Sequence, residues 1–202
     1  MPGLKEPGPE ICGRCGVTLP DGGKFCYYCR GSKAANFKCS KIRSGLVFTK
    51  EARSLVHNFK YNGHIYLQKF LAGKMRAVFE KVPEFQTVDA ICPVPLHTFK
   101  RMRRGYNQSA LLAEILAREK NIFYDEKLLS RKKNTSAQAS LKKVERIKNV
   151  KEAFVCRGDA KGKTILIIDD VATTGSTLEA CAAALKTAKA KKVYALTLAR
   201  EE

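Results

Sequence analysis

Beyond about residue 44, apolar positions along the chain follow two alternating patterns. Short, continuous apolar runs are typical of buried strands, and they occupy residues 44–48, 87–92, 152–156, 164–168 and 193–198. Other segments repeat apolar residues at spacings of three and four, which predicts amphipathic helices over 50–60, 64–80, 107–118 and 177–188. Thr49 is a candidate N-cap for the first of them. This alternation indicates an α/β domain on a mainly parallel sheet, with helices on both faces.

The first 42 residues lack this periodicity. Residues 1–10 are rich in proline, glycine and charge, which predicts a flexible tail. Residues 11–42 hold five of the eight cysteines among glycines and turn residues, which predicts a small separate domain. We therefore divide the chain into a tail (1–10), a cysteine-rich domain (11–42) and an α/β domain (43–202).

Four of these cysteines form a C-x2-C-x10-C-x2-C motif. Each C-x2-C pair places two sulfurs on one tight turn, and two such turns supply four thiolates to a tetrahedral Zn²⁺. A segment this short cannot bury a core of its own, so bound metal would stabilise it. The alternatives are a redox pair and an iron–sulfur cluster, and Cys39 is expected to be a free thiol. The motif predicts a structural zinc ribbon with the ligands Cys12, Cys15, Cys26 and Cys29.

The chain carries a formal net charge of +19. Such an excess favours polyanionic partners, namely nucleic acid, an anionic membrane face or phosphorylated small molecules. A solvated basic surface is the alternative. No stretch approaches the roughly 20 apolar residues of a membrane span, and the N-terminus has no apolar signal segment. We expect a cytoplasmic protein that does not insert into a membrane.

Two adjacent carboxylates, Asp169 and Asp170, follow the apolar run at 164–168. Ligands of open α/β sheets bind beyond the carboxyl ends of the strands. The next residues lead into a predicted helix, whose first N–H groups favour a phosphate. The acids suit a neighbouring task, because they can hold ribose hydroxyls or a Mg²⁺ that bridges to a diphosphate. The sequence thus predicts a sugar-phosphate site whose phosphate loop consists of Ala172, Thr173, Thr174, Gly175, Ser176 and Thr177.

A competing interpretation is a nucleotide-binding P-loop at "GDAKGKT" (158–164), with "LIIDD" as its acidic partner strand. A P-loop has four residues between its two outer glycines and lies between a strand and a helix. Here three residues separate Gly158 from Gly162, and a strand follows. Both departures argue against an NTPase.

Three stretches resemble known families. "ILIIDDVATTGSTL" resembles the phosphoribosyl-diphosphate (PRPP) binding motif of type I phosphoribosyltransferases. "VDAICPVPLHTFKRMRRGYNQSALLA" and "LVHNFKYNGHIYLQKFLA" resemble the ComF/GntX family, as does the four-cysteine motif. The resemblance implies a zinc ribbon followed by a type I phosphoribosyltransferase-like domain that binds PRPP with Mg²⁺. It also implies a role in DNA uptake during natural competence, in which several family members act.

Two basic segments complete this picture. One follows the strand at 87–92, and by the same resemblance it corresponds to the diphosphate loop; its basic residues are Lys100, Arg101, Arg103 and Arg104. The other, at 127–151, corresponds to a hood loop that closes over the diphosphate, with the candidates Arg131, Lys132 and Arg146. A solvated basic loop is the alternative for the first segment. The second could instead track a nucleic-acid backbone through lysines, although it lacks the interleaved aromatic residues typical of single-strand binding.

Two functions stay open from the sequence. In the first, the protein transfers a phosphoribosyl group to an unknown acceptor in a Mg²⁺-dependent reaction. In the second, it is a non-catalytic cytoplasmic module that handles single-stranded DNA or senses PRPP. The sequence identifies no acceptor and no catalytic residue, so it does not decide whether the protein is an enzyme. Homodimers are expected only by analogy with the fold, and the DNA-uptake machinery is the expected partner by resemblance.

Overall fold

The computed structural model describes residues 3–31, 37–96, 98–132 and 153–202, with the backbone alone for 98–100. Its strands are β1 (Lys41–Val47), β2 (Ala90–Pro93), β3 (Phe123–Tyr124), β4 (Leu129–Arg131), β5 (Phe154–Cys156), β6 (Thr164–Ala172) and β7 (Lys192–Arg200). Its α-helices are α1 (Lys50–Tyr61), α2 (Gln68–Lys81), α3 (Thr98–Arg104), α4 (Gln108–Lys120) and α5 (Ser176–Thr187). Short 3₁₀ turns occupy Tyr27–Cys29, Ile65–Leu67 and Pro83–Thr87.

Five strands form one parallel sheet in the order β1-β7-β6-β2-β3. The central strands β6 and β7 are apolar on both sides, as expected for strands with both faces covered. Leu166 and Ile168 face one core, while Ile165 and Ile167 face the other. The predicted parallel sheet is confirmed.

Helices cover both faces of this sheet, which confirms the predicted layers. On one side α1, α2 and α4 bury Phe59, Met75 and Leu112 in a single core. On the other side α5 packs through Leu178 and Leu185. Each helix buries one face in these cores because its apolar residues recur at helical spacing. The predicted boundaries at residues 10 and 42 remain predictions.

Strand β6 is longer than the sequence pattern indicates. It continues past its apolar run and pairs with β7 as far as Ala172, opposite Arg200. On its other side, pairing with β2 stops at Pro93, opposite Ile168. Asp169 and Asp170 therefore lie inside β6 but beyond the end of β2. We call this end of the sheet the carboxylate edge.

A second, two-stranded antiparallel sheet joins β4 to β5. Lys132 N–H donates to the carbonyl of Ala153 at 2.8 Å and extends the pairing. These strands contact α5, so they lie on its face of the parallel sheet. Most of the predicted hood, including Arg146, lies outside the described residues.

Within the described part of the chain, no helix has the length and apolar character needed to cross a bilayer.

Candidate functional site at the carboxylate edge

The two carboxylates of β6 have different surroundings. Asp169 Oδ1 accepts hydrogen bonds from Ser109 Oγ and from the backbone N–H of Asp170, both at 2.9 Å. Burial, together with the neighbouring charge of Asp170, raises the pKa of Asp169 to about 7, although these hydrogen bonds and Lys60 oppose the shift. Asp169 therefore stays protonated at a higher pH than an exposed aspartate would.

Asp170 pairs with a lysine from a distant helix. Lys60 lies in the last turn of α1, and its Nζ is 2.8 Å from Asp170 Oδ2. Helix α1 begins after Thr49, whose side chain accepts the backbone N–H of Ala52, as the sequence predicts for a cap. The ammonium group of Lys60 thus brings the end of α1 to the carboxylate edge.

The start of α4 fixes the approach to Asp169. Asn107 caps this helix by accepting the N–H of Ser109 at 3.1 Å, and its amide donates to the carbonyl of Val94 at 3.1 Å. The bond to Val94 ties the start of α4 to the segment that follows β2. Ser109 is consequently held with its hydroxyl on Asp169, which the sequence alone did not indicate.

The basic segment after β2 forms a helix, α3, where the sequence predicted a loop. Arg104, at its end, donates to Tyr61 Oη at 2.5 Å and to Gln108 Oε1 at 3.0 Å, and its guanidinium lies over the Tyr61 ring. These contacts tie the end of α3 to the last residue of α1 and to the start of α4. Arg101 instead points towards Glu126, with 3.4 Å between the charged groups.

The phosphate loop connects β6 to α5. Thr173, Thr174 and Ser176 are exposed, so their hydroxyls are accessible to a ligand. Gly175 precedes α5 with a φ of 77°, a left-handed conformation that favours glycine. The N–H of Ser176 donates to Thr174 Oγ1 at 3.3 Å, which leaves the N–H groups of Thr177 and Leu178, in the first turn of α5, for a phosphate.

The four predicted zinc ligands form one cluster in the cysteine-rich domain. Their sulfur atoms all lie within 4.8 Å of one another, and the Sγ atoms of Cys15 and Cys26 are 3.6 Å apart. Tetrahedral Zn–S bonds of about 2.3 Å give sulfur separations of roughly 3.8 Å. Cys39 is buried outside the cluster. The four-Cys cluster thus fits a structural zinc ion.

Backbone contacts prepare one ligand and dock the cluster on the sheet. Burial raises the pKa of Cys12, but hydrogen bonds with neighbouring backbone groups outweigh it and lower the pKa to about 6. Arg43 of β1 donates to the carbonyls of Cys12 and Gly13 at 3.4 and 3.0 Å. Ile42 N–H donates to the Arg14 carbonyl at 2.7 Å. The first cysteine turn is therefore attached directly to the edge strand.

Comparison with known proteins identifies the family. The phosphoribosyl transferase domain family matches residues 107–202. A DNA utilization protein YhgH of Salmonella typhi is 37% identical over 178 residues, which cover 84% of this chain and 74% of that protein. The chain belongs to the ComF/GntX family. Competence protein F of Haemophilus influenzae is 29% identical over 195 residues, which cover 94% of this ComF/GntX chain and 84% of that protein.

Among solved structures, the glutamine PRPP amidotransferase of B. subtilis aligns with 70% of this chain and 30% of its own. The two chains are 19% identical in the aligned part, and the TM-score is 0.47.

The structure brings some of the predicted site residues of this ComF/GntX chain together. The acid pair and the phosphate loop adjoin, and Arg104 contacts Tyr61 at the end of α1. Arg103 is exposed, whereas Arg131 lies over the Phe154 ring within the β4–β5 sheet. The side chain of Lys100 and all of Arg146 lie outside the described part of the chain.

The sequence analysis missed Lys60, Tyr61 and Ser109 as members of the carboxylate edge. Lys60 and Tyr61 fall inside the stretch 55–72 that resembles the family, and Ser109 falls inside the other, at 88–113. The resemblance therefore marked the right segments. It could not identify the residues, because each contact joins elements that are far apart in the sequence.

Proposed function

We propose that this ComF/GntX protein binds PRPP with Mg²⁺ at the carboxylate edge and transfers the phosphoribosyl group to an acceptor during DNA uptake. The observation that carries the proposal is the pairing of Asp170 with Lys60 at the end of the strand that leads directly into the phosphate loop. Arg104, held by Tyr61 at the end of the same helix as Lys60, adds a second cation. Such a set of cationic and anionic groups would suit the two ends of one sugar diphosphate.

Each part of PRPP has a proposed binding partner. The N–H groups and hydroxyls of the phosphate loop would bind the 5-phosphate. Asp169 and Asp170 would accept hydrogen bonds from the ribose hydroxyls, and Lys60 and Arg104 would hold the diphosphate. Adjacent carboxylates are suitable Mg²⁺ ligands, and bound Mg²⁺ would neutralise charge on the leaving diphosphate. The predicted hood residues remain candidates for closing the site.

The proposed reaction is a substitution at the anomeric carbon of the ribose. An acceptor atom forms a bond to this carbon with its lone pair, and the bond from the carbon to the diphosphate oxygen breaks. Pyrophosphate leaves with the electron pair of that bond, and the acceptor releases its proton to water. The carboxylates would stabilise the positive charge that develops on the sugar.

In the cysteine-rich domain, we propose that Cys12, Cys15, Cys26 and Cys29 bind one structural Zn²⁺. Four thiolates fill the tetrahedral coordination and leave no open position for catalysis.

Calorimetry with PRPP tests the binding step. We expect binding that requires Mg²⁺ and that Asp170→Asn weakens by about tenfold or more. Asp159→Asn is the matched control, because Asp159 is exposed and pairs with Lys163 instead. Equal affinity of the wild-type protein and Asp170→Asn would contradict the assignment of Asp170.

Release of pyrophosphate tests the transfer step. The assay uses PRPP and Mg²⁺ with a panel of bases, in the presence and absence of single-stranded DNA. Release that depends on one acceptor identifies the enzyme. Binding of PRPP without release under any of these conditions favours the second candidate function.

The second candidate is a non-catalytic cytoplasmic module that handles single-stranded DNA or senses PRPP. Its support is the net charge of +19, together with relatives that are named for DNA utilization and competence. It predicts DNA binding that weakens steeply with salt. Changing Lys132, Lys133, Lys142 and Lys143 together to alanine should reduce the salt dependence, and unchanged binding would exclude this basic segment. Sedimentation of the same samples tests the homodimer.

A further inference from the structure

A cavity of about 720 Å³ opens between the four-Cys cluster and the phosphate loop. One wall comes from the second cysteine turn, through Tyr27 and Tyr28. The opposite wall is the outer side of the phosphate loop, at residues 173–175. Arg200, the last residue of β7, also lines the cavity. We call it the ribbon cleft.

Two tyrosine rings give the ribbon cleft an aromatic wall. Tyr27 and Tyr28 are 75% and 76% exposed, and their rings meet edge to face with 5.4 Å between centroids. Two exposed rings in contact form a contiguous apolar surface, and contiguous apolar surfaces of this kind mark interaction sites more often than single exposed rings do. Both lie between Cys26 and Cys29, so metal binding at the four-Cys cluster would hold them in place. A planar ligand could therefore stack on a wall that is already ordered.

Arg200 contributes hydrogen-bond donors that have no acceptor among the described residues. The residue is only 7% exposed, and within that part of the chain its buried Nε and Nη1 have no hydrogen-bond partner. Donors left unsatisfied in this way are costly, so their presence at a cavity indicates a ligand that accepts hydrogen bonds. Two nearby acids do not serve Arg200. Glu179 accepts the N–H groups of Lys38 and Cys39, and Glu202 accepts that of Thr18.

We propose that the ribbon cleft binds a nucleobase, stacked on Tyr27 and Tyr28 and hydrogen-bonded by Arg200. A base has a flat face for the rings, and it has ring nitrogens and carbonyl oxygens that accept from a guanidinium. Carboxylates of Glu179, Glu201 and Glu202 surround the cleft, so they disfavour a free phosphate there. The volume lies in the usual range for small-molecule sites.

The position of the ribbon cleft gives this inference its link to the carboxylate edge. Both share the segment 173–175, so a base in the cleft lies next to the 5-phosphate end of a sugar phosphate on the phosphate loop. The anomeric carbon is at the other end of that sugar, so the base is a neighbouring ligand and not the acceptor of the proposed transfer. Its place beside PRPP rests on the proposed function, whereas binding of the base does not.

The test measures binding of nucleobases to the zinc-loaded, full-length protein. Saturation-transfer NMR and equilibrium dialysis would compare free adenine, guanine, hypoxanthine and uracil, their nucleosides, and short single-stranded oligonucleotides. We expect Tyr27→Ala/Tyr28→Ala and Arg200→Met each to weaken binding about tenfold or more. Tyr66→Ala is the matched control, since Tyr66 is 73% exposed and lies outside the cleft.

Zinc content and PRPP affinity are measured for every variant. Loss of base binding with full zinc content and unchanged PRPP affinity supports the ribbon cleft. If Arg200→Met loses zinc, base binding by Tyr27→Ala/Tyr28→Ala decides whether the cleft is the binding site. Binding of oligonucleotides alone, abolished by the tyrosine changes, assigns the base to a DNA strand, whereas binding of free bases assigns it to a small molecule.

Two results overturn the inference. One is that no base binds, either free or within an oligonucleotide. The other is that the zinc-loaded tyrosine variant binds bases as tightly as the wild-type protein does. A protein that binds PRPP but no base refutes the ribbon cleft alone. A protein that binds bases but not PRPP refutes the proposed function alone.

Discussion

Lys60 Nζ and Asp170 Oδ2 lie 2.8 Å apart and connect the end of α1 to the end of β6. Their side chains are only 19% and 13% exposed. Removing one partner from a buried ion pair leaves an uncompensated charge, which is much more destabilising than loss of an exposed pair. The pair is therefore a structural connection as well as a candidate part of the PRPP site.

The first prediction concerns the coupling energy of this pair. In a double-mutant cycle of Lys60→Met and Asp170→Asn, we expect a coupling of about 1–3 kcal/mol in the free energy of unfolding. Urea unfolding at neutral pH measures it. The more exposed pair Lys74 and Glu6, 2.9 Å apart, is the control and should give about 0–1 kcal/mol. Equal coupling in the two cycles would mean that burial does not strengthen the contact.

The second prediction follows from the raised pKa of Asp169. The folded protein keeps this proton up to a pKa of about 7, whereas the ordinary pKa is 3.8. Between those values the folded state binds more protons than the unfolded state, so this group makes stability fall as pH rises. Asp169→Asn removes the effect. Its melting temperature, measured by circular dichroism, should exceed that of the wild-type protein at pH 8.

The difference between the two proteins should shrink on acidification and be smallest near pH 4, where Asp169 is protonated in the folded state. Asn keeps an oxygen that can accept from Ser109, so the hydrogen bond survives. Asp21→Asn, at an exposed position, is the control, and its melting temperature should equal that of the wild-type protein at every pH. A pH-independent gain for Asp169→Asn would show that packing, rather than ionisation, is responsible.

The sequence could predict the elements that depend on local pattern. Apolar periodicity gave the parallel sheet and its helices, and the Thr49 cap set the start of α1. It missed α3, because its residues 98–104 are mostly basic and carry no apolar stripe. It also ended β6 too early, since the hydrogen bonds that prolong the strand come from β7 and override the polarity of Asp169.

The candidate site was predictable only where its residues are adjacent in the chain. The acid pair and the phosphate loop are one segment, so their pattern was visible. The contacts of Lys60 with Asp170 and of Ser109 with Asp169 arise from helix packing, which no local pattern encodes. The ribbon cleft was invisible for the same reason, because its walls come from opposite ends of the chain.

The third prediction concerns metal at the four-Cys cluster. The purified protein should contain one zinc ion, and Cys26→Ser should lose it. Cys39→Ser is the matched control, because Cys39 is buried but outside the cluster. Elemental analysis measures the metal. Retention of zinc by Cys26→Ser, or its loss from Cys39→Ser, would contradict the ligand assignment.

Removal of that zinc by a chelator should loosen the cysteine-rich domain more than the parallel sheet. Its apolar cluster consists mainly of the cysteines themselves with Leu19, so little else stabilises it. Hydrogen exchange should therefore increase across residues 11–30 while β6 and β7 stay protected. Equal deprotection of both regions would show that the metal stabilises the whole fold.

The fourth prediction separates two arginines of the predicted diphosphate loop. Arg104 is held by Tyr61 at the end of the helix that also carries Lys60, whereas Arg101 faces Glu126 and is 60% exposed. Calorimetry should therefore show that Arg104→Leu weakens PRPP binding about tenfold, because a guanidinium on a diphosphate makes charge-assisted bonds. Arg101→Leu, the matched control, should weaken it less than threefold by the same scale. The reverse order would mean that α3 turns when PRPP binds, because only then could Arg101 reach the diphosphate in place of Arg104.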